Sequence, residues 1–247
     1  MSGLFNTVLY APFFNLLVFL YNTVAFNDFG IAIILLTLII RLLLSPLSVK
    51  TIKSQKALAE LQPKIKEVQE KFKNDAQKQT QEVMGLYRRH KVNPFSGCFP
   101  LLIQLPILIA LYRVSVAGFE ENSLSVLYDF IKNPDFLNST SLGFINLTKR
   151  NILLSVIAGA VQFWQTKMSS SFSKSSAAPR DQTANPLGAI NHQMLYFFPI
   201  ITIIISMSFP AGLPLYWITT TLFSIIEQAY INKIHGGPNG KFNSPDR

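Results

Sequence analysis

The sequence predicts an all-α integral membrane protein built as a bundle of about five or six spanning helices, and three observations carry that expectation. Apolar residues make up 49% of the 247-residue chain and charged residues 14%. The apolar residues are gathered into long runs, of which Phe29–Leu47 (FGIAIILLTLIIRLLLSPL) is close to the roughly 20 residues needed to cross a bilayer. The net charge of +9 is concentrated in three polar segments. Lys50–Lys91, Lys167–His192 and the tail after Asn232 hold every basic residue except Arg41, Arg113, Lys132, Lys149 and Arg150. Lysine and arginine collect in cytoplasmic loops, so the pattern predicts an outer N-terminus and a cytoplasmic C-terminus.

The elements follow in order. Residues Leu4–Phe26 are apolar but broken by Asn6, Pro12, Asn15 and Asn22. They fit either a span or an amphipathic helix lying in the interface, and the polar breaks and aromatics favour the second. The first clear span is Phe29–Ser48. The polar stretch after it carries an apolar stripe, Leu58, Leu61, Ile65, Val68 and Phe72, at helical spacing. Asn74-Asp75 reads as a turn and Ala76–His90 as a second helix, giving a basic hairpin, with Pro63 bending the first helix or marking its start. Asn93-Pro94 resembles an N-cap followed by a first-turn proline, opening a second span over Phe95–Val116. A polar segment with Glu120, Glu121, Asp129 and Asp135 precedes a third span, Leu147–Gln165. The loop Lys167–Asn191 leads to a fourth span, Gln193–Phe209. The turn Pro210–Pro214 leads to a fifth, Leu215–Ile231. The domain boundaries expected are 1–27, 28–49, 50–93, 94–232 (with an outer loop at about 118–146 and a cytoplasmic loop at about 167–192) and 233–247.

Several classes of chemistry find no support. There is no GxxxxGK[ST] phosphate loop, no HExxH and no GxSxG. His90, His192 and His235 are dispersed, so neither a metal nor a cofactor is expected, and the chain does not read as an enzyme. Cys98 is the only cysteine and excludes an intrachain disulfide. The first 27 residues contain no Lys or Arg, so no secretory signal peptide is expected there. In a chain of long apolar runs the basic balance points to membrane topology and no specific nucleic acid.

Arg41 is the candidate functional residue. A charge near the centre of a spanning helix costs about 2.5–3.5 kcal/mol on insertion scales. Thr37, Arg41, Ser45 and Ser48 are spaced to fall on one face of that helix. Gln104 lies in the second span. Ser155, Gln162 and Thr166 share a face of the third, and Trp217, Thr221, Ser224 and Gln228 share a face of the fifth. Converged, these groups would form a hydrated polar pocket. Asp28 and Glu227 fall near span ends; if Arg41 pairs with neither, its partners are water and neutral hydroxyls or amides. The competing reading of Arg41 is snorkelling towards the cytoplasmic interface, about 10 Å away. For Ser and Thr it is ordinary helix packing, for Trp217 an interfacial anchor, and for the hairpin a solvated loop.

Four segments carry a family resemblance: AIILLTLIIRLLLSPL with Arg41, KSQKALAELQPKIKEVQEKF, QEVMGLYRRHKVNPFSGCFPLLIQLPILIALY, and FPAGLPLYW. In this order they resemble the YidC/Oxa/Alb superfamily of membrane protein insertases. The resemblance implies five transmembrane helices around a hydrophilic groove open to the cytoplasm and to lipid. It also implies an outer interfacial N-terminal helix and a cytoplasmic helical hairpin. Arg41 matches the family's groove arginine, Thr37 and Trp217 match positions where the groove meets substrate, and Gln162 is a weaker match. With Ser45 and Gln104 these residues form the expected substrate groove. The expected partners are nascent membrane proteins and the lipid bilayer, with the Sec translocon and the ribosome as further candidates, and the expected location is the bacterial inner membrane. Relatives with a large periplasmic domain, a lipoprotein signal or a long ribosome-binding tail differ from this chain, so ribosome contact through the tail is not expected, and the basic hairpin could supply some of it. The alternatives are a small anion transporter or channel using Arg41, and a ribosome-docking membrane anchor resting on the hairpin.

Overall fold

The computed structural model describes residues 3–93, 99–117, 126–134, 136–170 and 186–234. Pro94 of the expected helix start, Glu120, Glu121, Asp135, most of the 167–192 loop and the 235–247 tail lie outside them.

The chain opens with α1 (Gly3–Phe5), a π-helical turn (Asn6–Tyr10) and α2 (Ala11–Thr23), joined without a break in helical backbone. One face of α2 is buried through Phe14, Leu17, Val18 and Tyr21. The asparagines that interrupt this segment in the sequence are its attachment points. The buried Asn15 donates to the Val126 carbonyl (2.9 Å) and accepts from the Tyr128 amide (2.7 Å). Asn22 donates to the Lys132 carbonyl (2.7 Å), and the Tyr21 hydroxyl accepts from the Asn138 amide (3.0 Å). Asn6 accepts from Arg113 (3.1 Å). The helix therefore uses its polar groups to fasten the loop at 126–138, leaving no buried amide unpaired at those positions.

Asp28 starts α3 (Phe29–Lys71) as its N-cap, accepting from the Gly30 and Ile31 amides at 2.8 and 3.0 Å. The sequence suggested a span and then a separate hairpin helix. The structure instead shows one helix of 43 residues, about 65 Å long, carrying Pro46 and Pro63 in its interior. A helix proline removes one backbone bond and crowds the preceding turn, but the good helix formers either side propagate through it. After Phe72 the chain turns, and Asp75 caps α4 (Ala76–Arg89) by accepting from the Lys78 amide at 3.0 Å. Leu61 and Ile65 of the apolar stripe are buried. Gln79 donates to the Gln69 carbonyl across the turn (2.9 Å), and Lys71 and Lys78 both lie over the Phe72 ring.

Four further helices follow: α5 (Phe99–Ala117), α6 (Ile152–Ser170), α7 (Pro186–Ser208) and α8 (Gly212–Ile234). The third apolar helix starts at Ile152 and not at Leu147, because Asn151 caps it, accepting from the Leu154 amide (3.0 Å). Residues before that cap form a small antiparallel hairpin, β1 (Thr140–Ser141) and β2 (Ile145–Asn146), which the sequence did not suggest. Its turn needs positive φ at Leu142 (52°) and Gly143 (79°), a conformation that glycine accepts and leucine resists. Two bonds tie the α7–α8 turn to the same region, Ala211 amide to Lys149 carbonyl (2.9 Å) and Gly212 amide to Leu147 carbonyl (3.3 Å). The start of α3, the hairpin, the start of α6 and the α7–α8 turn thus meet at one end of the bundle. That end is packed with Phe29, Ala32, Ile33 and Leu36 of α3 against Leu17 and Val18 of α2, Leu111 and Val114 of α5, and Leu147.

Away from this core several apolar side chains face outwards. Leu42 and Leu43 of α3, Ile152 and Leu153 of α6, Ile204 of α7 and Ile226 of α8 are exposed, as lipid-facing positions require. Helices packed in lipid gain little from excluding water and rely on close approach. Gly159 on α6 shows this. A Cβ there would run into the Ile203 side chain of α7 and come to 3.2 Å of the Pro199 carbonyl oxygen. Gly159→Val is expected to cost about 1–3 kcal/mol, read as a lower melting temperature in detergent. An unchanged melting temperature would show that the α6–α7 contact yields freely.

Candidate functional site

Arg41 is twelve positions into α3 from Phe29, about 18 Å along the axis. Its side chain turns sideways across the bundle. The Nε donates to the Thr220 hydroxyl on α8, and one terminal nitrogen donates to the Gln104 carbonyl oxygen on α5 at 3.1 Å. Gln104 passes the connection on by donating from its amide nitrogen to the Tyr216 hydroxyl. One polar layer therefore joins three helices, α3, α5 and α8. Guanidinium has five N–H donors, and among the described residues two are used, both by neutral acceptors. The lateral bonds replace the snorkelling arrangement, because a side chain committed to α5 and α8 is not extended along its own helix.

One turn further along α3, Ser45 donates to a Glu227 carboxylate oxygen on α8 at 2.7 Å. Glu227 and Arg41 interact electrostatically without forming a contact ion pair. The sequence had placed Glu227 near a span end. Helix α8 runs on to Ile234, and this carries the acid into the polar layer.

A second cluster lies between α6 and α8. Trp217 Nε1 donates to the Gln162 carbonyl oxygen at 3.2 Å. Gln162 in turn donates to Gln165 (3.0 Å) and Thr166 (3.4 Å). Further along, Ser169 donates to Gln228 at 3.2 Å. Trp217 here is a packed hydrogen-bond donor and not a free interfacial ring.

Of the six residues expected from the sequence, Arg41 and Gln104 enter the first network, Ser45 bonds Glu227 one turn along, and Gln162 and Trp217 pair in the second. Thr37 joins none of these. It is 1% exposed, and its hydroxyl donates to the Ile33 carbonyl of its own helix at 2.6 Å. Ser155 is likewise buried and bonds the Asn151 carbonyl at 3.0 Å. Tyr216, Thr220 and Glu227 were not read as site residues. Their spacing of four and seven puts them on one face of α8, one residue round from the Trp217 stripe, so α8 presents one polar face to α3 and α5 and another to α6.

The family model described as 60Kd inner membrane protein matches residues 19–237. A Fusobacterium nucleatum protein named membrane protein insertase YidC is 37% identical over 219 residues, covering 88% of this chain and 93% of that protein. Its namesake from Oceanobacillus iheyensis is 36% identical over 240 residues, covering 94% and 85%. A Halalkalibacterium halodurans protein named membrane protein insertase YidC 1 is 35% identical over 243 residues, covering 96% and 81%.

Proposed function

This chain belongs to the 60Kd inner membrane protein family, which includes the YidC insertases, and we propose that it inserts integral membrane proteins through a hydrated groove lined by the Arg41 layer. The observation that carries the groove is a membrane-embedded guanidinium held by neutral acceptors on two other helices, with donors to spare. A polar segment of a nascent protein that enters this layer meets hydroxyls, amides and a cation in place of hydrocarbon. That lowers a barrier of several kcal/mol for unpaired polar groups. The adjoining apolar segment partitions sideways into lipid. The driving force is burial of apolar surface, about 25 cal/mol per Å². No covalent step is needed.

In this reading the Asp28 end faces outwards, where the packed core of α2, α3 and α5 closes the bundle. The Lys50 end faces the cytoplasm and admits substrate. The N-terminal helix lies along the outer interface, and the α3–α4 hairpin projects into the cytoplasm. The basic side chains of that hairpin offer the surface for a ribosome, and the Sec translocon is a further candidate partner.

Purified protein in liposomes is the test. A small single-span substrate with an acidic outer tail should become protease-protected well above the level in protein-free liposomes, while a trapped halide-sensitive dye stays unquenched. Anion flux without insertion would overturn the reading in favour of a small anion channel.

A further inference from the structure

We propose that Glu227 is a specificity-determining residue whose carboxylate opposes Arg41 within the polar layer and so sets which charge of segment the protein accepts. The inference rests on the insertase reading and concerns a residue that reading leaves unused.

Glu227 is 8% exposed, so its carboxylate belongs to the bundle interior. It is held by the Ser45 hydroxyl at 2.7 Å and, among the described residues, forms no contact ion pair with Arg41. Arg41 is likewise held by neutral acceptors, Thr220 and Gln104. The two charges are therefore bound separately, yet close enough to feel one another. Had they closed into an ion pair, each would have cancelled the other locally. Held apart, they form two charged levels on the α3–α8 contact.

Their order along the helix gives the arrangement direction. Ser45 is one turn beyond Arg41, about 6 Å nearer the Lys50 end. A segment arriving from that end meets the carboxylate first and the guanidinium second. An acidic segment is repelled at the first level and attracted at the second, and a basic segment meets the opposite sequence. In a site of reduced dielectric each level biases a passing charge more strongly than it would in water. The layer thus screens substrates in both directions, and Glu227 limits the preference for acidic segments that Arg41 alone would impose.

Glu227→Gln tests this because the amide keeps the size of the side chain and an oxygen to accept from Ser45. One single-span substrate is made with acidic, neutral and basic tails, and insertion is expressed as the acidic-to-neutral and basic-to-neutral ratios. With Glu227→Gln the first ratio should rise about threefold or more and the second should fall comparably. Arg41→Gln should move both ratios the other way, and the Arg41→Gln/Glu227→Gln pair should bring both towards one. A uniform loss across all three tails, with ratios unchanged, would overturn the proposal and leave Glu227 as a strut between α3 and α8. Ratios that respond to Arg41→Gln and not to Glu227→Gln overturn this proposal alone. Ratios indifferent to both substitutions overturn the groove reading beneath it.

Discussion

Arg41→Ala is expected to reduce insertion of acidic-tailed substrates by roughly tenfold or more. A hydrogen bond to a charged group contributes about 1.5–3 kcal/mol, and 1.4 kcal/mol corresponds to a factor of ten. The alanine variant keeps Thr220, Gln104 and Tyr216 in place, so a polar layer survives without its cation. Arg41→Lys should keep part of the activity, because charge remains while the fork that reaches α5 and α8 together is lost. Arg41→Leu separates stability from function. It removes a charge that costs about 2.5–3.5 kcal/mol to embed, so the protein should melt no lower than the parent while insertion still falls. Protease protection of the substrate and melting in detergent read the two effects. Full insertion of acidic tails by the alanine variant would show that the charge is not used.

Asp28→Ala is expected to lower stability by about 2–4 kcal/mol, from a lost helix cap and lost charge-assisted bonds, with solvent access placing it at the lower end. One carboxylate joins the start of α3 to the β-hairpin. It caps α3 and also accepts from the Ser141 hydroxyl (2.7 Å) and the Leu142 amide (2.6 Å) of the β-hairpin. Gly30 shows how close the two elements lie, since a Cβ there would overlap the Ser141 side chain. Partial burial by itself would raise the pKa of Asp28. The bonds from Leu142, Ile31, Ser141 and Gly30 outweigh that and hold it below the usual carboxylate range. A depressed folded-state pKa means that the ionised clasp stabilises the fold above the unfolded value, about 3.9, and is lost as pH falls below it. Melting temperatures of parent and Asp28→Asn should therefore differ at neutral pH and converge in acid. A difference that persists undiminished in strong acid would show that the clasp does not depend on ionisation.

The sequence and the structure agree best where the physics is local. Helix α3 is legible because every residue of FGIAIILLTLII contributes to one sum of apolar transfer, and because Asp28 caps it from the adjacent position. The hairpin turn is legible for the same reason, as Asp75 caps the helix that it precedes. The boundary between span and hairpin was not, because the switch to polar residues at Lys50 and Pro63 both look like breaks in sequence while the helix runs through both. Asn15 shows a different limit. An asparagine inside an apolar run looks like an interruption until the loop that it holds, 111 and 113 residues away, is in view.

The chain alone determined that this protein lives in a membrane and that Arg41 is the charge requiring an explanation. Only the tertiary structure decided what surrounds that charge. Its acceptors are 63 and 179 residues distant, Thr37 on its own helix face bonds its own backbone instead, and an acid read as lying near a span end bonds Ser45 one turn away. Hydropathy adds up along the chain and can be read in order. A hydrogen bond depends on which side chains three separate helices bring within about 3 Å, and no local sum contains that information.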